Sequence, residues 1–173
     1  RDAAGDVGGL MARAAFSIRP GARRDAPAIV ALIRELALYE RLLHEVKITP
    51  AEVRRHGFGR RPYFKTLICR RDRKPVGLAL YFFTYSSFLG RPVLWLEDLL
   101  VLPEARGRGA GKALLRALAR IAVTRGCGRM EWSVLDWNAP AIRFYRRIGA
   151  RLDREWIITR LKGAPLARLA RSR

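Results

Sequence analysis

The sequence predicts an α/β domain on a mixed sheet, and three observations carry that prediction. Strand-like runs and runs with helical spacing follow one another in the order β-α-α-β-β-β-α-β-α-β. The strand-like runs are rich in Leu, Val and Phe with few polar interruptions, as in a sheet covered on both faces. A glycine-rich segment joins one strand directly to the most regular amphipathic helix. The expected sheet is mostly antiparallel, of six to seven strands, flanked by about four helices.

Each element has a local cause. Phe16 to Arg19 reads as a short strand stopped by Pro20-Gly21. Asp25 then stands as a helix N-cap with Pro27 in the first turn, followed by Ile29, Leu32, Ile33, Leu36 and Tyr39 at helical spacing. Thr49 and Glu52 form a capping box for a second helix, ended by Gly57-Phe58-Gly59. Phe64 to Cys69 and Pro75 to Tyr85 are strands joined by the polar hairpin turn Arg71-Asp72-Arg73-Lys74. After a second turn at Phe88 to Pro92, Val93 to Val101 is the next strand. Gly109 to Arg125 is a helix whose stripe is Ala110, Leu114, Leu118, Ile121 and Ala122. Arg129 to Leu135 is a strand, Asn138 caps a helix ending at Gly149, and Trp156 to Leu161 is expected as a final strand. Residues 1–14 read as an unstructured leader, 15–162 as one domain, and 163–173 as a basic tail.

With 173 residues the chain suits one domain with a full core. No apolar run approaches the ~20 residues that span a bilayer. Cys69 and Cys127 lack a CxxC pair or a histidine cluster, so no metal site is expected. A disulfide between them stays open; the cysteine usage favours a reducing cytoplasm. The net charge of +20 attracts anions, among them nucleic acid or a phosphorylated cofactor. The basic residues are spread from Arg19 to Arg173 without interleaved aromatics, so nucleic acid is not the expected partner.

The segment Val101 to Gly111 carries the clearest chemistry. Gly107, Gly109 and Gly111 let backbone N–H groups crowd around a ligand. A helix opening there adds its dipole and unpaired donors, which suits a pyrophosphate. Arg106 and Arg108 add charge. The spacing is neither a Walker loop nor a full dinucleotide fingerprint, which disfavours both classes.

The run Arg106-Gly107-Arg108-Gly109-Ala110-Gly111 is similar to the acetyl-CoA loop of GNAT acetyltransferases, Q/R-x-x-G-x-G/A, with Arg106, Gly109 and Gly111 at its fixed positions. The likeness extends to Leu36-Ala37-Leu38-Tyr39-Glu40, Gly57-Phe58-Gly59, Tyr81-Phe82-Phe83-Thr84-Tyr85, Leu96-Glu97-Asp98, Asp136-Trp137-Asn138 and Phe144-Tyr145. These segments resemble the diamine (spermidine/spermine) and thialysine N-acetyltransferase branch over roughly residues 15 to 160.

The resemblance implies transfer of an acetyl group from acetyl-CoA to a primary amine of a small molecule. It assigns the cofactor to Leu99, Leu100 and Val101, whose backbone would pair with the pantetheine arm. It adds Arg106, Gly107, Arg108, Gly109, Ala110, Gly111 and Lys112, with Asn138 and Tyr145. The amine starts as an ammonium of pKa near ~10.4 and must lose a proton. Glu97, interrupting an apolar strand, is the expected general base through water, its pKa raised by desolvation. Tyr145 is implied as the acid that protonates the departing thiolate.

Tyr39, Glu40 and Tyr85 match positions near the amine, and Glu97 and Asp98 join them. A cationic substrate needs local acidity in a protein of charge +20, so Glu40, Glu97 and Asp98, with Glu45, are expected in one mouth. Adjacent carboxylates on a regular strand face opposite sides, so only one of Glu97 and Asp98 reaches a given pocket unless a bulge intervenes. Ser86 stands where polyamine-acetylating members carry an acid, so the substrate class stays diamine, polyamine or thialysine-like amino acid. The alternatives are a protein or peptide amine as acceptor, or a non-catalytic nucleic-acid module. A homodimer is implied by the family alone.

Overall fold

The computed structural model describes residues 16–172, so the expected leader lies outside the described residues. The chain divides between Ser133 and Val134 into two compact units.

The first unit holds a five-stranded sheet in the order β1-β2-β3-β4-β5. The strands are β1 (Ser17–Pro20), β2 (Lys65–Arg71), β3 (Lys74–Ser86), β4 (Arg91–Val101) and β5 (Arg129–Trp132). All neighbours are antiparallel except β4 and β5, which run parallel, so the sheet is mixed as expected. Asp72 and Arg73 form the β2–β3 turn with φ of 50° and 66°. Two residues with positive φ match the twist of the flanking strands, which is why this polar pair closes a tight hairpin.

Helices α1 (Ala26–Tyr39) and α2 (Pro50–Phe58) cover one face. Their Ile29, Leu32 and Val53 pack with Ile68, Leu78 and Leu100 of the sheet. Full burial of such a side chain contributes about 1.5–3 kcal/mol. Helix α3 (Ala110–Thr124) covers the opposite face. A Cβ added at Gly77 would lie 3.3 Å from Leu114 Cδ1 and 2.9 Å from the Leu100 carbonyl oxygen, so a bare α-carbon lets α3 approach.

Two caps match their expected form. The Glu52 N–H donates to Thr49 Oγ1 at 3.3 Å, and the Thr49 N–H donates to Glu52 Oε2 at 2.7 Å. In the second unit the Ala141 N–H donates to Asn138 Oδ1 at 3.3 Å, opening α4 (Ala139–Arg147). Asp25 differs. It precedes α1 but does not cap it with its side chain. Its carboxylate accepts from Arg19 at 2.8 and 2.6 Å, from Arg70 at 3.1 Å and from the Ala22 N–H at 2.8 Å. Two guanidinium groups outcompete a neutral amide for a carboxylate.

The second unit also departs from expectation. Strand β5 stops at Trp132, and the Leu135 carbonyl turns to accept from the Asn138 N–H. Trp156 to Leu161 has no regular structure, and its side chains are exposed. A strand exists through its neighbour, and among the described residues none pairs with this segment. Helix α5 (Ala164–Arg171) forms in the basic tail instead. The described residues thus hold five strands and five α-helices, not six to seven and four. None of these helices is long and apolar enough to cross a membrane. Cys69 and Cys127 are free thiols; burial pushes Cys69 up to about 11, as befits a small core residue.

Candidate active site

The site begins with an irregularity in β4. Leu96 pairs with Tyr81 and Asp98 pairs with Leu80, so Glu97 has no partner on β3 and forms a bulge. A bulge shifts the alternation of side chains by one. Trp95 pairs with Phe82, which lies on the same face as Leu80 and therefore as Asp98. Trp95 Nε1 donates to Glu97 Oε2 at 2.7 Å, which brings Glu97 to that face as well. The two carboxylates stand side by side on the face covered by α1.

Their environments differ. Glu97 is exposed and held by Trp95. Asp98 is partly buried, and burial pushes it up to about 7, with the charges of Glu97 and Glu40 adding to the effect. Burial also raises Glu40, at the end of α1. Three carboxylates therefore converge, as expected for Glu40, Glu97 and Asp98. Of the two neighbours it is Asp98 that is partly buried, because the bulge exposes the extra residue, Glu97. Glu45 lies 3.9 Å from His44 Nε2. Tyr85 is not brought to this group. Two residues beyond Phe83, it alternates onto the face of Tyr81 and Phe83, and it is 68% exposed.

The other half of the site is backbone. Strand β5 pairs with β4 only from Val93 to Leu96. Among the described residues no strand takes its place beside Leu99, Leu100 and Val101, so this stretch of β4 is an edge without a strand partner. The Val101 carbonyl accepts from Arg106 Nε at 2.8 Å. The Arg106 guanidinium lies 5.0 Å from the centroid of the Tyr39 ring, a cation–π contact that ties the loop to the end of α1.

The glycine loop follows. Gly107 and Gly109 have φ of 70° and 94°. A Cβ at either would meet nothing within 4 Å, so their need for glycine is conformational and the cradle is open. The first bond of α3 runs from the Ala113 N–H to the Gly109 carbonyl at 2.9 Å. The amides of Ala110, Gly111 and Lys112 therefore have no partner inside the helix, and its positive dipole end faces the loop. Arg108 and Lys112 are exposed beside it. Open donors, a dipole and two cations fit the pyrophosphate of CoA, and the bare β4 edge fits an amide-bearing arm.

Tyr145 and Asn138 belong to the second unit. Tyr145 sits in α4, 9% exposed, its ring 5.5 Å from that of Phe144. Asn138 holds the cap of that helix. Trp95 and the Arg106–Tyr39 contact were not anticipated from the sequence. For Trp95 the signal was its i, i+2 spacing from Glu97; the second contact joins residues distant in the chain and left none.

Comparison with known proteins bears directly on this geometry. Residues 29–150 match the model of the acetyltransferase (GNAT) family. The chain is 37% identical over 168 residues to the thialysine N-epsilon-acetyltransferase of Mus musculus, covering 91% of this chain and 98% of the relative. It is 40% identical over 142 residues to the spermidine/spermine N(1)-acetyltransferase-like protein 1 of Homo sapiens, covering 78% of this chain and 20% of that longer protein. Among solved structures, an integron cassette protein from the mobile metagenome of V. cholerae is similar with a TM-score of 0.75 at 26% identity, covering 91% of this chain and 98% of the other. The open β4 edge, the glycine loop at the start of α3 and these likenesses agree: the chain is an enzyme of the GNAT acetyltransferase family.

Proposed function

We propose that this enzyme transfers an acetyl group from acetyl-CoA to a primary amine of a small molecule, a diamine, polyamine or thialysine-like amino acid. One observation carries the reading: Glu40, Glu97 and Asp98 converge on one spot of a protein whose net charge is +20. Such a local reversal of sign suits a cationic acceptor. The relatives named for thialysine and spermidine/spermine acetylation support the same class.

The chain's residues divide the work. Acetyl-CoA, when bound, supplies an activated thioester. The amides of Ala110, Gly111 and Lys112, with Arg106 and Arg108, hold the pyrophosphate. The edge of Leu99, Leu100 and Val101 pairs with the pantetheine arm, and a backbone N–H there polarises the acetyl carbonyl. Asp98, Glu40 and Tyr39 seat the ammonium. Glu97 takes a proton from it through water, freeing the nitrogen lone pair to attack the carbonyl carbon. Tyr145 donates its phenolic proton to the sulfur as the C–S bond breaks, and the second proton shed by the acylated nitrogen returns through water to restore the phenol. Asp98 is the second candidate for the base, favoured by its position near neutrality.

The proposed assembly is a homodimer. Trp156 and Ile157 are 76% and 88% exposed in the second unit, and apolar side chains so placed call for a cover that another copy of the chain supplies. Tyr85, on the far face of the sheet, then serves the amine site of the partner.

The test is CoA release from acetyl-CoA with a panel of diamines, polyamines, thialysine and a lysine-bearing peptide. Turnover with the small amines and not with the peptide is expected. Activity confined to the peptide would overturn the substrate class.

A further inference from the structure

A second constellation lies on the sheet face away from Glu97 and Asp98. Lys65 pairs across the sheet with Tyr81, and Phe83 follows two residues on, so all three share that face. The last turns of α3 bring Arg120, Ile121 and Arg125 over them, and together they line a cavity of about 260 Å³. Its floor is aromatic: Tyr81 and Phe83 meet edge to face, centroids 6.1 Å apart at 85°. Its rim is cationic: Lys65 Nζ and the Arg125 guanidinium carbon each lie 6.0 Å from the Phe83 centroid.

We propose that this cavity is a binding site for a small anion carrying a flat ring, separate from the acetyl-transfer site. Three cations converge on one aromatic floor, and no carboxylate lines the cavity. Among the described residues none of the three is ion-paired. Like charges gathered over an apolar surface repel one another, and an anion between them relieves that repulsion. The floor selects the rest of the ligand, because a flat ring stacks on Phe83 and on a guanidinium plane. The volume sits just below the ~300 Å³ lower end of ordinary small-molecule pockets, enough for one ring and its acidic group.

Two features place an anion here in spite of a local penalty. The carboxyl end of α3 carries about half a negative charge, which three cations outweigh. Burial raises the Tyr81 phenol while Arg125 draws it the other way; the phenol stays protonated at neutral pH and is a donor at the edge of the floor. At 1.5 Å per residue, Arg125 stands roughly 20 Å along α3 from the amides at Ala110. The pyrophosphate cradle and this cavity thus occupy opposite ends of one helix. The cavity is open on one side and about 260 Å³ in volume, a size for one small ligand rather than for a run of nucleic-acid backbone.

The test titrates phenyl phosphate into the full chain by calorimetry, with and without saturating CoA. Saturable binding with a Kd of roughly 1 mM or tighter is expected, unchanged by CoA. Lys65→Gln with Arg125→Gln, both exposed positions, should weaken it at least tenfold while the melting temperature holds. Phe83→Leu should weaken phenyl phosphate towards the affinity of inorganic phosphate. Displacement by CoA would move the ligand to the glycine loop and overturn the proposal. Equal affinity in the double variant, equal affinity for inorganic phosphate in the unmodified chain, or displacement by a single-stranded oligonucleotide with steep salt dependence would each overturn it too.

Discussion

Glu97 and Asp98 are consecutive residues on β4, yet they face the same side of the sheet. Leu96 opposite Tyr81 and Asp98 opposite Leu80 leave Glu97 as the extra residue, and Trp95 holds its carboxylate at 2.7 Å. In a regular strand one of the two would point at α3. The bulge therefore builds the acidic group, and it also separates two chemistries, one carboxylate exposed and the other pushed up to about 7.

That separation makes the base assignment testable. If Glu97 is the base, Glu97→Gln should lower turnover about 10²-fold or more, with the greatest loss at low pH, where fewer amines are already free. Asp98→Asn should then act mainly on the KM of the amine. A pH–rate profile of both variants decides: loss of the limb near pH 7 in Asp98→Asn, with Glu97→Gln active, would transfer the role to Asp98.

Asp98 also makes stability depend on pH. Its folded value of about 7 lies above the ordinary 3.8, so the folded state binds more protons between them. Stability should fall as pH rises from about 4 to 7 through this group. Asp98→Asn should raise the melting temperature at pH 8 and leave it nearly unchanged at pH 4. Thermal melts at the two pH values check the sign.

Asp25 behaves in the opposite way. Arg19, the Ala22 amide and Arg70 hold it down at about 2, below its ordinary 3.8. Its contribution is present above pH 4 and is lost as pH falls through about 2. Asp25→Asn should cost about 2 kcal/mol at pH 7, since it weakens charged hydrogen bonds to two guanidinium groups. Denaturant unfolding at pH 7 measures this, and the penalty should shrink in acid.

Gly109 opens α3 at φ 94° with open space where a side chain would sit. Gly109→Ala should cost about 1–2 kcal/mol through left-handed strain and no clash. Because the same turn aims the amides of Ala110 to Lys112, CoA affinity should drop by more than the melting temperature suggests. Calorimetric titration of CoA into the variant measures it.

Tyr145→Phe should lower turnover about 10²-fold while CoA affinity survives. The ring and its buried seat in α4 remain, so a loss of folding is not expected. Steady-state kinetics beside CoA titration separates the two effects; an unchanged rate would remove Tyr145 from the acid role.

Much of this was legible in the sequence, because the signals were short-ranged. Thr49 with Glu52, Asn138 with its helix, and the pair Asp72-Arg73 at the hairpin each act within one turn, so residue identity decides the outcome. The glycine loop belongs with them: positive φ at Gly107 and Gly109 and the unpaired amides of the first turn of α3 need no distant partner. The sequence alone thus determined four of the five helices, four of the strands almost to the residue, and the open glycine turn before α3. Tertiary structure decided the rest. Register along β3 placed the bulge at Glu97 and moved the partly buried carboxylate to Asp98; Arg19, joined by Arg70 from 45 residues away, drew Asp25 from its capping role. Trp156 to Leu161 has the composition of a strand and does not become one, because a strand is completed by backbone groups on another segment, which no local pattern supplies.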